Sequence, residues 1–570
     1  MTSNQRQETV KPTESQVLNR LKQELSFLCS YKNMDISHPS VEKEIEQYVD
    51  RISSFTYQDG DQVDTWWSSE RWRHTKRNYK AGDVASLRSS IDLVTPSHYL
   101  SRKLYQNLRE KFIARDSSRT YGALDTVQVI NMCKYLSSVY VSGWQCSSTH
   151  IPAGHEPGPD FADYPMSTVP DKVMQLVKSQ LFHDRKQNED RFSMTNEQRQ
   201  HHKKVDYLVP CIADADAGFG GITSVMKLVK MFIEAGAGGI HIEDQKPGVK
   251  KCGHLGGKVL VSAREHVTRL QAARLQADVM GCELVLCART DALSATFLDS
   301  NIDPVDHPFI LGCVDPKNPQ KLLTFPQAGR ISIQQNFHNA EERERLLKMW
   351  DQHALHLSLQ EAQKLAQKHK FDFYFDWETC RTEEGYYRIE GSIAYCVQRG
   401  LLFADYADML WMETPTPELQ VAKEFADSIH AQKPHVMLSY NLSPSFNWDA
   451  QKMTEEDLEN FIPNLASMGY CWQFITLAGF HMDALISEVF TRNFAETGML
   501  GFVEYIQRKE KSEKVDQLLH QKWSGANLKD REVELASNNK ISTLSNQKGG
   551  GTTEDQFYKN GGHGKQHGHH

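Results

Sequence analysis

Between Gly239 and Leu260 the chain reads G-I-H-I-E-D-Q-K-P-G-V-K-K-C-G-H-L-G-G-K-V-L and changes character midway. Gly239 to Ile242 is apolar and β-branched, which predicts a buried strand, and it ends in the carboxylates Glu243 and Asp244. The loop that follows holds Lys250, Lys251, Cys252, Gly253 and His254. A thiol serves as acid, base or nucleophile only near its pKa, and flanking ammonium and imidazolium groups favour the thiolate. Gly253 and the pair Gly256 and Gly257 free the backbone, so the loop is expected to open for a substrate and close over it. For K-K-C alone a solvated lysine pair beside an ordinary cysteine is the favoured reading. A structural zinc site is disfavoured, because no second C-x-x-C or H-x-x-x-H completes four ligands.

An apolar run with a polar end recurs along the chain. Strands are expected at 139–145, 209–215, 239–243, 283–290, 407–413, 435–440 and 471–477, with amphipathic helices between them, such as 221–235 and 262–280. Their carboxyl ends carry Ser142 and Trp144, Asp214 and Asp216, Glu243, Arg289 and Asp291, Glu413, Asn441 with Ser443 and Ser445, and Thr476. Each alone reads as a cap or turn residue. Repeated βα units imply a parallel sheet, and at least seven strands favour closure. The expected fold class is therefore α/β, a (β/α)8 TIM-type barrel that gathers those ends around one mouth. A doubly wound open sheet is the alternative.

The rest of the chain divides around that barrel. Residues 1–100 are an N-terminal helical segment with a docking helix at 17–28, and the aromatic cluster T-W-W-S-S-E-R-W at 65–72 reads as an anchor against the main body rather than a cofactor site. The pattern between 92 and 136 is mainly helical. The barrel's first part spans 101–312, with the catalytic loop at 246–258. Residues 313–379 are polar and helical, and are read as an inserted subdomain because an ordinary connection takes only a few residues. The second part of the barrel spans 380–500, C-terminal helices follow at 501–530, and 531–570 is a flexible tail rich in Gly, Asn, Lys and His.

Composition narrows the partners. With 39% hydrophobic and 24% charged residues and no apolar run near ~18 residues, no membrane crossing is expected. A net charge of -8 argues against nucleic-acid binding. Eleven cysteines without tandem spacing fit a reduced compartment. The start lacks a secretory or transit pattern and the end is not S-K-L, so the cytoplasm is expected. Carboxylates that share a pocket repel unless a cation lies between them, so Asp160, Asp214, Asp216 and Glu243 suggest a hard divalent metal, Mg²⁺ or alternatively Mn²⁺. Arg289, Asn441, Ser443, Ser445 and Thr476 are donors suited to substrate carboxylates. The expected ligand is a small polycarboxylate bound with magnesium.

Taken together these motifs resemble the isocitrate lyase family. They are K-K-C-G-H at 250–254, S-G-W-Q at 142–145, A-D-A-D-A-G-F-G-G at 213–221, I-E-D-Q at 242–245, A-R-T-D at 288–291, W-M-E-T at 411–414, N-L-S-P-S at 441–445 and T-L-A-G-F-H at 476–481, similar to the family in the same order. The insert and the W-W-S-S-E-R start resemble the longer, eukaryotic-type members. The resemblance implies reversible cleavage of isocitrate to glyoxylate and succinate, the first step of the glyoxylate bypass, in a homotetramer that exchanges C-terminal helices. It implies Cys252 as the acid that protonates the carbanion of the succinate half, Asp214 as the direct metal ligand, and Asp160 and Glu243 acting through water. Arg289, Trp144, Gly143 and Ser142 would hold the glyoxylate end. Asn441, Ser443, Ser445, Thr476, Gly253 and His254 would hold the succinate end, with Glu413 positioning or exchanging protons and Tyr140 as the candidate base. Asp216 stands where many members carry Glu, and T-E-D-Q-F at 553–557 matches a family ending that helps close a neighbouring site. The nearest rival is 2-methylisocitrate lyase. Trp411, Phe474 and Thr476 resemble the bulky wall of isocitrate lyases instead. An inactive scaffold, the reading of a different class, is disfavoured by the joint presence of Cys252, Asp214, Arg289 and Glu413.

Overall fold

The computed structural model describes residues 58–545, apart from 92 and 152–154, together with 553–559. The helix expected at 17–28 lies outside the described residues. The chain forms two compact units, Met1–Arg73 with Asn78–Leu93, and His74–Arg77 with Val94–His570. In the first, helices Gly60–Trp67 and Ala81–Leu87 bury Val63 and Val84, and Trp66 meets Trp72 edge-on at 5.2 Å.

The second unit is a barrel of eight parallel strands: β1 Ser118–Tyr121, β2 Val139–Val141, β3 Cys211–Asp214, β4 Gly239–Glu243, β5 Val285–Thr290, β6 Met409–Met412, β7 Met437–Asn441 and β8 Tyr470–Ile475. Hydrogen bonding runs in order around the ring, with β1 paired to β8. The ring closes where Gly122 bridges Tyr140 and the Ala123 N–H donates to the Tyr140 carbonyl. Strands buried on both faces are mainly apolar, as β4 and β5 are up to their polar carboxyl ends, His241 apart, because helices cover one side and the barrel interior the other. Tyr140, Ile212, Cys287, Trp411, Trp472 and Phe474 are among the residues that fill that interior. Helix Pro96–Ala114 packs Leu104, Leu108 and Phe112 against the same cluster, and Leu104 lies beside Gly239 at the start of β4. This plugs the amino end and leaves the carboxyl end as the mouth.

Strand boundaries show where residue patterns mislead. β1, S-R-T-Y, lies in a stretch expected to be mainly helical; four residues with Arg119 exposed are too few to display a period. The strand expected at 139–145 stops at Val141, because Ser142 accepts the Gln145 N–H and starts helix Gly143–Thr149. Helices Ile222–Ala235 and Ala263–Val279 start after Gly221 and Ser262. Helix Ala526–Ala536 runs across residue 531, where the tail is expected to begin, and Asp530 accepts the Ser545 N–H.

Between β5 and β6 the chain leaves and returns at one place, with Cys313 paired to Asp376. Helices Phe325–Asn336, Ala340–His353 and Leu359–Lys368 surround the fully buried Trp350, whose indole N–H donates to the Pro326 carbonyl at 2.8 Å. Gly329 faces this ring. A Cβ there would lie 2.2 Å from Trp350 Cζ2 and 2.5 Å from Cε2. Gly329→Ala is expected to destabilise this cluster by about 1–3 kcal/mol through overpacking, despite alanine's better helix propensity. A lowered apparent melting temperature checks it, and an unchanged one rejects the packing account.

Candidate active site

The acidic side of the mouth is built by β2, β3 and β4. Asp214 ends β3, and two residues later Asp216 turns the chain in the left-handed region at φ 49°, where Asp is tolerated better than most side chains. The turn is pinned at both ends: the Asp216 N–H donates to Asp214 Oδ1 at 2.9 Å, and the Glu243 N–H to the Asp216 carbonyl at 3.0 Å. Tyr164 donates its hydroxyl to Asp216. Gly143 gives its N–H to Asp214 Oδ2 at 3.2 Å, and a Cβ there would sit 2.8 Å from that oxygen. Only glycine fits so close to the carboxylate.

Asp160, Asp214 and Asp216 each offer an oxygen within 4.8 Å of the others, and all three are buried. This all-oxygen set suits a hard divalent cation, and Asp216 Oδ1 lacks an aligned hydrogen-bond donor. Lys250 reaches the same cluster. Its ammonium hydrogen-bonds Asp160 at 2.6 Å, lies 2.6 Å from Asp216 Oδ1 and 4.0 Å from Glu243 Oε1. Burial opposes that ammonium, but the surrounding carboxylates outweigh it and hold its pKa well above the ordinary lysine range. Burial likewise pushes Asp160 up, with Lys250 opposing. For Asp214 the burial effect is outweighed by His241, Lys250 and Arg289, which hold it down.

Arg289 occupies the middle. The register sets it opposite Glu243 and Trp411 on the flanking strands. Its guanidinium lies 3.2 Å from Glu243 Oε2, 3.0 Å from Asp291 Oδ2 and 3.6 Å from Glu413 Oε2, over the Trp411 ring at 4.4 Å. Burial raises Glu243 well above the ordinary carboxyl range. Asp291 is buried too, but Arg289 and Lys258 overcome this and hold it low.

The K-K-C-G-H loop lies over these groups as a lid. Gln245 exchanges two hydrogen bonds with the Lys251 backbone, at 2.8 and 3.0 Å. Lys258, itself buried, ties the Gly253 carbonyl to Asp291. A Cβ on Gly253 would lie 2.4 Å from Arg289 Nη2, so the lid reaches this depth only with glycine there. His254 Nε2 sits 3.2 Å from Glu413 Oε1. The expectation that neighbouring cations lower the Cys252 pKa is corrected here. Burial raises it, Asp160 adds to the rise, and Lys250 and Arg289 offset it only in part. Cys252 is a thiol in this site, the form that can donate a proton.

The far wall comes from β6, β7 and β8. Asn441 donates to Glu413 Oε1 at 3.1 Å, and the Ser445 N–H to Ser443 Oγ at 3.1 Å. Trp144 stands edge-on to Phe480 at 5.2 Å. One cavity of about 40 Å³ is lined by Tyr140, Ser142, Trp144, Asp160, Asp214, Cys252, Gly253, His254, Arg289, Glu413, Asn441, Ser443, Ser445 and Thr476, with Leu477. Gly143, Asp216 and Glu243 lie behind this lining and act on it through Asp214, Lys250 and Arg289. A substrate pocket is commonly several hundred Å³, so the cavity under the K-K-C-G-H loop is too small for a substrate in this conformation.

Several residues of the site escaped the sequence reading. His241 points into the barrel with Nε2 3.1 Å from the Tyr140 hydroxyl and 3.5 Å from Asp214 Oδ1, and burial lowers its pKa to about 4. A histidine between Ile240 and Ile242 in an otherwise apolar strand was the available signal. Gln245 and Lys258 flank the loop, but their partners are set only by the fold.

The isocitrate lyase family profile matches residues 59–336 and 332–557. The chain is 48% identical over 531 residues to isocitrate lyase of Oryza sativa subsp. japonica, covering 87% of this chain and 92% of that one. It is 43% identical over 537 residues to isocitrate lyase of Saccharomyces cerevisiae, covering 88% and 96%, and 38% identical over 540 residues to that yeast's mitochondrial 2-methylisocitrate lyase, covering 88% and 93%. Matched over most of its length and folded as a parallel barrel with an acidic, lidded mouth, the chain belongs to the isocitrate lyase family, whose members are metal-dependent lyases.

Proposed function

We propose that the protein cleaves isocitrate reversibly to glyoxylate and succinate. The observation that carries this reading is the convergence of the Cys252 thiol, the Arg289 guanidinium and the Asp160–Asp214 carboxylates on one cavity under a lid. Asp214 would hold a Mg²⁺, or Mn²⁺ in its place, with Asp160 and Glu243 acting through water, and that ion would supply polarisation of the substrate's oxygens. Arg289, Ser142, Trp144 and the Gly143 backbone bind the glyoxylate half, and Asn441, Ser443, Ser445, Thr476, Gly253 and His254 bind the succinate half.

Bond breaking begins when the 2-hydroxyl loses its proton. Tyr140 is the base. Burial and Asp214 raise its phenol well above the ordinary range, so a free phenolate is disfavoured. The Tyr140 hydroxyl is held 3.1 Å from His241 Nε2 and 3.4 Å from Asp214 Oδ2, and a cation bound beside it would favour the phenolate that a base requires. C2–C3 cleavage then leaves carbanion character on C3, delocalised into the adjacent carboxylate, and Cys252 protonates that carbon. Glu413, bonded to Asn441 and beside His254 and Arg289, positions the two halves of the wall.

Preference for isocitrate over 2-methylisocitrate is supported by the close aromatic packing behind Tyr140, the one of these rings that lines the cavity. Phe474 packs against Trp472 at 4.1 Å, Tyr140 at 4.7 Å and Trp411 at 5.0 Å. The ten described cysteines are free, which suits a reducing cytoplasm, and no described helix is long and apolar enough to cross a membrane. A homotetramer with exchanged C-terminal helices is supported by the exposure of Met482, Leu485, Ile486, Phe494, Met499 and Leu500 along Ala478–Thr497 and Met499–Phe502. Glu554, in the T-E-D-Q-F segment, accepts the Gln521 N–H at 2.8 Å and so ties that segment to this region.

Glyoxylate release from isocitrate is expected to exceed that from 2-methylisocitrate, and Cys252→Ser to lower kcat by about 10²–10⁴-fold, the usual weight of a general acid. Full turnover by the serine variant rules out the thiol as proton donor. The donor must be protonated and its pKa is raised, so the rate holds at neutral pH and falls only as pH climbs above the ordinary thiol range. A kcat–pH profile with its alkaline limb below that range rejects the assignment. EDTA should abolish activity and added Mg²⁺ restore it; full turnover in EDTA excludes the metal role.

A further inference from the structure

We propose that Lys250 latches the lid shut by seating its ammonium group in the carboxylate cage, where it competes with a divalent cation for the same cluster of negative charge. The proposal rests on the metal reading above and adds an order of events to it. The oxygens belong to the barrel and its flanking loop, Asp160 and Asp216, whereas Lys250 belongs to the lid, so the 2.6 Å contacts exist only when the lid is down. The side chain is 1% exposed. An ammonium withdrawn so far from water is held there only by charges that replace its hydration, and the cage supplies them.

The lid is also made to move. Gly248 and Gly257 take left-handed φ values of 85° and 75°, and neither would bring a Cβ within 4 Å of anything. These are unpacked positions on either side of Lys250–His254, suited to act as hinges. A divalent ion held by Asp214, with Asp160 and Glu243 reached through water, would stand close to the ammonium seated among the same carboxylates, and the two like charges repel. Metal entry therefore expels Lys250 and releases the lid, which opens a mouth too small for substrate when latched. Substrate carboxylates then draw the lid down again through His254 and Arg289. Lys250 is a positioning residue in this scheme, since it touches neither substrate nor reacting atoms.

The test uses the full-length protein with Mn²⁺ alone. Hydrogen exchange of the peptide spanning 246–258 is measured without and with Mn²⁺, and Mn²⁺ binding is titrated for wild type, Lys250→Gln and Lys250→Arg. In wild type, Mn²⁺ without substrate should speed lid exchange. Lys250→Gln should show fast exchange without metal and bind Mn²⁺ about tenfold tighter, the effect of removing one like charge at close range. Lys250→Arg should restore slow exchange and near-wild-type affinity. The latch is overturned if Mn²⁺ slows or leaves unchanged the wild-type lid exchange, or if Lys250→Gln binds Mn²⁺ no tighter. Should Lys250→Gln not fold, the wild-type exchange experiment decides alone. Absence of Mn²⁺ binding to wild type and variants alike overturns the metal reading, and the competition with it.

Discussion

Buried negative charge is the constraint on which this structure depends. Asp160, Asp214, Asp216, Glu243, Asp244, Asp291 and Glu413 crowd the carboxyl ends of the strands with almost no access to water. Such a cluster folds only if buried cations are interleaved with it. Lys250 answers Asp160 and Asp216, Arg289 answers Glu243, Asp291 and Glu413, and Lys258 answers Asp291. One layer below, Arg399 bridges Asp244 and Asp306 and donates to the Val261 carbonyl, which joins β4 to the stem after the lid and to the segment before the insert. Asp244 in turn takes the Thr290 hydroxyl and the Asp291 N–H. The orientation of Arg289 is thus inherited from a chain of buried ion pairs that starts well outside the pocket.

Two of these cations, Lys250 and Lys258, come from the loop and its stem rather than from barrel strands. Lid position and the charge state of the mouth are therefore one problem. The stem of the lid is fixed by a small sheet in which Val259–Leu260 pairs with Phe297–Leu298, and that strand with Tyr387–Arg388 beyond the insert. The loop is closed at its base by the Lys246 N–H, which donates to the Val259 carbonyl. A short segment moving between fixed ends can return its thiol to the same place, which a proton donor to carbon requires.

The sequence made the barrel and most of the mouth legible for a physical reason. Strands buried on both faces must be apolar, so a polar residue at the end of each apolar run stands out, and closure collects those ends. β1 was hidden because four residues, one of them exposed, carry no periodicity. The strand beginning at Val139 was read too long because Ser142 fits a strand's polar end as well as it fits a helix cap. Cys252 was legible as a reactive residue but its environment was not: Lys250, Lys251 and His254 are neighbours in the chain, whereas the burial and Asp160 that raise the thiol pKa are neighbours only in space. His241, Gln245 and Lys258 were overlooked for the same reason, since their value lies in partners from other strands.

The mouth is asymmetric in a way that bears on specificity. Its acidic side, on β2 to β4, is held by electrostatics, with the lid lysine seated among the carboxylates of Asp160, Asp216 and Glu243. Its far side is held by packing. Phe474 is locked by ring contacts with Tyr140, Trp411 and Trp472, and β7 holds Asn441 beside Phe474 in register. Trp411 also carries Arg289 on its face, and Tyr140 carries the hydrogen bond to His241. Of these rings only Tyr140 lines the cavity, and Phe474, Trp411 and Trp472 pack behind it, so reshaping this side of the cavity moves rings that also support Arg289 and His241. A methyl group alone is worth only ~1–3 kcal/mol of discrimination. Under the roles proposed for Arg289 and Tyr140, admitting that methyl would disturb catalysis as well as binding, so discrimination in kcat/KM would exceed what packing against the methyl supplies.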